Sequence, residues 1–163
     1  MERGNNITKI NLAGNRITSK SAKTLRDLVK APKNKRLMSL ILDNNNLFDV
    51  TIQEIAEGLV DKHQALSDDK KHPYICPIEL LSLRRTGIGD KGLIALVNNF
   101  DKIAGKNRQG NEDYENMIAL DISYNEVTNN GIGRIAQLLL KFNAISSLGL
   151  SGLSYELKNV NCI

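Results

Sequence analysis

The sequence has no apolar run near the roughly 18 to 20 residues that cross a bilayer as a helix. Its opening residues, Met1-Glu2-Arg3-Gly4-Asn5-Asn6, lack the apolar core of a secretory leader. A chain without a membrane association is expected. Two cysteines, Cys76 and Cys162, are too few for a disulfide scaffold and read as free thiols, which points to a reducing, cytoplasmic setting. The two histidines, His63 and His72, stand beside no nucleophile or carboxylate pattern, so no triad can be assembled and an enzyme is not expected. Charge of one sign is also scarce: 22 basic residues face 18 acidic ones, mixed along the chain, for a net +4. So small an imbalance speaks against nucleic acid as the partner. What remains is ordinary globular material, 163 residues with 41% hydrophobic and 25% charged side chains, enough for one domain or one regular array.

The array is visible. A template of apolar positions closed by asparagine, L-x-x-L-x-L-x-x-N-x-L, fits Ile7, Ile10, Leu12, Asn15 and Ile17. It recurs at Leu37, Leu40, Leu42, Asn45, Leu47; at Ile78, Leu81, Leu83, Thr86, Ile88; and at Met117, Leu120, Ile122, Asn125, Val127. A fifth copy begins with Ile145, Leu148 and Leu150 and then loses register, with Leu153 in the asparagine position. Each template is followed by apolar residues at helical spacing: Ala22, Leu25, Val29; Ile52, Ile55, Ala56, Leu59; Leu93, Leu96, Val97, Phe100; and Ile132, Ile135, Ala136, Leu139. One unit is therefore a short strand, a turn and a helix, and it buries its apolar face only when stacked on its neighbours. The asparagine amide is expected to satisfy backbone groups where the chain leaves the strand, with Thr86 making a weaker rung. Gly92 and Gly131 open two helices, where the missing side chain lets helix and strand approach.

With Leu81-Ser82-Leu83-Arg84-Arg85-Thr86-Gly87-Ile88-Gly89-Asp90-Lys91-Gly92 and Leu120-Asp121-Ile122-Ser123-Tyr124-Asn125-Glu126-Val127-Thr128-Asn129-Asn130-Gly131, the chain resembles the leucine-rich repeats, and within them the ribonuclease-inhibitor-like subclass. The resemblance implies an α/β solenoid of about five repeats, a horseshoe with a parallel sheet on the concave side and helices on the convex side. NOD-like receptor repeats, Ran GTPase-activating proteins and effectors that intracellular bacteria deliver into host cells share the subclass. Cysteine poverty sets the chain apart from vertebrate ribonuclease inhibitors. One domain over 1–163 is expected, with units near 7–36, 37–77, 78–116 and 117–144 and a partial unit at 145–163.

Equivalent strand positions lie 30, 41, 39 and 28 residues apart from Ile10 to Leu148. Against a unit of about 28 residues, the two middle units carry roughly 11 to 13 extra residues, in the polar segments 61–77 and 101–116. Such insertions project from one edge of a solenoid, where partners often bind. Neither end carries an evident polar cap, which implies a piece of a longer array, or ends covered by a partner or a second copy.

His63, His72 and Cys76 share the first insertion, but their irregular spacing and the lack of a second cysteine pair argue against a metal. Gly87-Ile88-Gly89 lacks the spacing of a nucleotide loop and belongs to a repeat turn. No cofactor, metal or small-molecule substrate is expected. A protein partner is expected instead, on the sheet face turned away from the core, through Ile41, Asp43, Asn44, Leu80, Ser82, Arg84, Arg85, Asp121, Ser123 and Tyr124. Ile41, Leu80 and Tyr124 are read there as exposed apolar anchors, with Arg84 and Arg85 beside them. Asp43 and Arg84 are same-column neighbours positioned to pair. Five strands at about 4.8 Å spacing give a face of some 300 Å², against about 800 Å² per partner in a standard interface. The insertion edge or helices would therefore contribute. The abundant asparagine and lysine fit an AT-rich genome, and a short array of this kind fits a bacterial effector acting in host cytoplasm. The alternative is a regulatory accessory of a small GTPase, with Arg84, Arg85 and Asn44 placed to accelerate hydrolysis.

Overall fold

The computed structural model describes residues 6–34, 36–67, 78–106, 118–141 and 145–153. Strands and helices alternate: β1 (Lys9–Asn11), α1 (Ala22–Lys30), β2 (Ser39–Ile41), α2 (Phe48–Ser67), β3 (Leu80–Ser82), α3 (Asp90–Lys106), β4 (Ile118–Asp121), α4 (Asn129–Lys141) and β5 (Ile145–Gly149). The strands form one parallel sheet in chain order. Ile10, Leu40, Leu81 and Leu120 are successive register partners, and Leu120 pairs with Leu148. These are the positions that the repeat template aligns. The register shifts once, between Ile118 and Ala119 against β5, in the copy whose template is broken.

Alternation along each strand sends Leu40, Leu81 and Leu120 inward, and the chain then returns Leu42, Leu83 and Ile122 to the same core. All six are buried against Leu25, Val29, Ile52, Ile55, Leu59, Leu93, Leu96 and Ile135 in one continuous cluster. Each such side chain contributes about 1.5–3 kcal/mol when fully covered. A single coil could not cover it alone, so stability resides in the stack. In α4 the buried stripe is Gly131, Ile135 and Leu138, and the expected Ala136 and Leu139 are exposed. No helix follows α4 among the described residues.

The asparagine rungs do what the template requires. Asn45 Oδ1 accepts from the Ile17 N–H at 2.8 Å, and its amide donates to the carbonyls of Leu12 at 2.9 Å and Leu42 at 2.8 Å, tying the second coil to the first. Asn125 repeats this toward the third coil, accepting from Thr86 at 2.9 Å and Ile88 at 3.2 Å and donating to Leu83 at 2.7 Å and Ile122 at 2.8 Å. Thr86 donates its hydroxyl to its own coil, at Leu83, and the second coil is tied to it by the Leu47 and Phe48 N–H groups on its carbonyl. The hydroxyl is the weaker rung, as its smaller hydrogen-bonding capacity implies.

A second set of ties starts α3 from α2 and α4 from α3. Asp49, in the first turn of α2, accepts from the Gly89 N–H at 2.7 Å. Asp90, in the first turn of α3, accepts from the Thr128 N–H at 2.9 Å, the Thr128 hydroxyl at 2.6 Å and the Gly131 N–H at 3.1 Å. Partial burial alone would push the Asp90 carboxyl up, but these bonds outweigh it and hold the group below the ordinary aspartate value. Gly92 and Gly131 make the approach possible. A Cβ at Gly92 would stand 2.9 Å from Asp49 Cα, and one at Gly131 would stand 2.6 Å from Asp90 Oδ1. On the helix side, Arg26 of α1 bridges to Glu54, Glu57 and Asp61 of α2, and Arg134 of α4 reaches Asp101 of α3 at 3.1 Å.

Helices α2 and α3, at 20 and 17 residues, are far longer than the nine-residue α1. Residues 61–67 and 101–106 of the two inserted segments are therefore helical. The rest of the expected insertion edge, 68–77 and 107–116, lies outside the described residues, as do Met117 of the fourth template copy, His72, Cys76 and Cys162. His63 is buried within α2.

Candidate functional site

The sheet face opposite the helices ends in a turn repeated five times. Its first residue is Gly14, Asn44, Arg85, Tyr124 or Gly152, with φ of 70°, 55°, 50°, 58° and 61° respectively. The left-handed backbone prolongs the ladder past the strands: the N–H of Gly14 donates to Asp43, Asn44 to Arg84, Arg85 to Ser123, and Tyr124 to Ser151, at 2.7–3.1 Å. It also turns the next residues into the core, where the asparagine rung waits. Glycine takes this conformation freely and asparagine readily; arginine and tyrosine take it at about 1–2 kcal/mol each. Two of the five positions therefore carry large side chains in a conformation that disfavours them. Such strain clusters where a surface binds something.

Those two side chains meet. The Arg85 guanidinium lies 4.7 Å from the centroid of the Tyr124 ring and that of Arg84 lies 5.5 Å away, both within cation–π range. The ring rests on Gly152, where an added Cβ would fall 2.4 Å from its edge. Tyr124 stays 43% exposed. Beside it, Asp121 lies over Gly149, accepts from the Ser123 N–H at 2.9 Å and faces Arg84 Nε at 3.7 Å.

Of the ten residues expected on this face, Asn44, Arg84, Arg85 and Tyr124 are exposed, while Asp43 and Asp121 are half-buried. Ile41 and Leu80 are half-buried rather than exposed, because neighbouring strands flank them, so Tyr124 is the one exposed apolar anchor of the three. Ser82 and Ser123 are buried: the Ser82 hydroxyl donates to Asp43 Oδ1 at 2.7 Å, and Ser123 Oγ accepts from the Ser151 N–H at 3.1 Å. The expected Asp43–Arg84 pair is replaced. Asp43 accepts from the Arg84 backbone N–H at 3.0 Å, and the Arg84 side chain turns to Asp121 on the following coil.

The template did not bring out Phe48. It begins α2 with φ 54°, is 51% exposed, and lies against Gly87, where an added Cβ would stand 2.9 Å from the ring. Phe48 and Tyr124 thus sit on left-handed glycines of the following coil, with Arg85 two residues from the Phe48 seat. The first residue of a helix carries no pattern that would announce an aromatic in this conformation.

Among the described residues, no group of three metal-ligating side chains is assembled, and no helix is long and apolar enough to cross a membrane. Residues 5–25, 75–97 and 115–136 match a family model described as leucine rich repeat. No curated protein matches the chain.

Proposed function

Taking the chain as what its matched repeats, parallel sheet and helices make it, a leucine-rich repeat α/β solenoid, we propose that it binds a protein partner through the sheet face at its turn edge. Repeats of this family generally mediate protein–protein interaction. The observation that carries the assignment to this face is the convergence of Arg84 and Arg85 on an exposed Tyr124 ring. Arginine and tyrosine dominate the energetics of protein interfaces, and here both guanidinium groups lie against the ring. Phe48, seated on Gly87 two residues from Arg85, extends the small sheet face. The ribonuclease-inhibitor-like subclass, cytoplasmic action and an effector role on a host protein complete the proposal; the long strand-helix units, the two cysteines and the composition support them. For the alternative, a GTPase accelerator, Arg85 is the better-placed arginine, since Arg84 is engaged by Asp121.

The test is capture from cytosol on the immobilised chain, followed by affinity measurement with the captured protein. Tyr124→Ala and Arg84→Glu are expected to weaken binding by about tenfold or more, and Lys23→Ala on the exposed side of α1 to leave it unchanged. Equal losses on both sides would remove the assignment. Acceleration of GTP hydrolysis by a captured GTPase, abolished by Arg85→Ala, would favour the alternative.

A further inference from the structure

Resting on the binding role proposed above, we infer that the partner segment seated on this edge is an acidic stretch of protein, whose carboxylates reach Arg85 and Arg84 where they lie against Tyr124. The aromatic anchor cannot be covered alone. Two guanidinium groups lie over its ring, so whatever buries Tyr124 buries them as well. A buried guanidinium without a countercharge is steeply unfavourable. Arg84 has Asp121 at 3.7 Å, a loose contact through Nε. Arg85 makes no ion pair among the described residues, and its planar fork matches a carboxylate bidentately.

The carboxylates nearby are already occupied. Asp43 Oδ1 accepts from the Ser82 hydroxyl and the Arg84 N–H, and Asp121 Oδ1 accepts from the Ser123 N–H. They limit the positive surface to one spot rather than neutralising it. That restriction separates the proposal from nucleic acid. A phosphodiester strand carries a charge at every step, and along this face it would meet Asp43 and Asp121 beside the arginines. A short acidic segment can reach the arginines without running along the row of carboxylates, and Phe48, seated two residues from Arg85, is open to an apolar side chain beside it.

The experiment is selection of random dodecapeptides displayed on phage against the full chain, against Arg84→Gln/Arg85→Gln, and against Arg85→Asn. The last variant keeps the backbone conformation, since Asn44 adopts it in the same column, so loss of binding by it is not loss of fold. Retained peptides enriched in aspartate and glutamate, with recovery falling about tenfold on both arginine variants, are the expected result. Peptides with no acidic enrichment whose capture still requires Tyr124 would overturn the acidic class and leave the binding surface intact. Peptides retained equally by Tyr124→Ala and by the arginine variants would overturn both. Displacement of a selected peptide by oligothymidylate as readily as by the free peptide would also overturn the proposal.

Discussion

Asn125→Ala removes the rung with the most partners. The side chain is buried, accepts from the N–H groups of Thr86 and Ile88 and donates to the carbonyls of Leu83 and Ile122. The Leu83 carbonyl retains the Thr86 hydroxyl at 2.8 Å, so the main loss falls on the two N–H groups. A buried donor left without an acceptor costs about 1–3 kcal/mol. With relaxation the pair comes to about 2–5 kcal/mol, a large part of the roughly 5–15 kcal/mol that holds a domain of this size together. Asn15→Ala is the internal control, because Asn15 is exposed and donates only to Ala13, at 3.2 Å; it should cost under about 0.5 kcal/mol. Thr86→Ala should fall between. Urea unfolding followed by far-ultraviolet circular dichroism measures all three, with the slope checked for constancy. Equal losses at Asn15 and Asn125 would refute the ladder, since the two differ in burial and partners while sharing a template position.

Gly131→Ala should destabilise by about 1–3 kcal/mol, because its Cβ would meet Asp90 and Val127, whereas Gly133→Ala, with nothing within 4 Å, should stabilise by about 0.5–1 kcal/mol; thermal melts compare them. Asp90 titrates below its ordinary value of 3.8 in the folded chain, so its contribution is complete above that value and is lost as pH falls through it toward the folded pKa. Asp90→Asn should therefore differ most from the parent near neutral pH and begin to converge with it only as pH falls below about 4, as read by denaturation across pH. Arg85→Asn relieves about 1 kcal/mol of backbone strain and forfeits a cation–π contact of about 0.5–1 kcal/mol. Its stability should stay within about 1 kcal/mol of the parent while partner affinity falls.

The strand positions were legible because a repeat must place equivalent residues side by side: Ile10, Leu40, Leu81, Leu120 and Leu148 align in sequence and share a register. The asparagine rungs were legible for the same reason, since an amide at the strand exit has only backbone groups to reach. Contacts that step between coils were not. A column shows which residues are neighbours and not which way a side chain leans, so it pairs Arg84 with Asp43, whereas the side chain turns to Asp121. The Asp49 and Asp90 ties were hidden likewise, although Gly92 and Gly131, which admit them, were singled out. Burial of Ser82 and Ser123 depends on partners in adjacent coils that a single strand's alternation does not show. Phe48 was invisible because its seat is a glycine 39 residues later in a different column.

Oxidative footprinting of the chain with and without its captured partner tests the binding surface most directly. Tyr124 and Leu140 are both open to a radical in the free chain, at 43% and 88% exposure, the first at the turn edge of the sheet and the second in α4. Modification of Tyr124 is expected to fall sharply in the complex while that of Leu140 is unchanged. Protection of Leu140 with Tyr124 still fully reactive would place the partner on the helices and contradict the assignment of the sheet face.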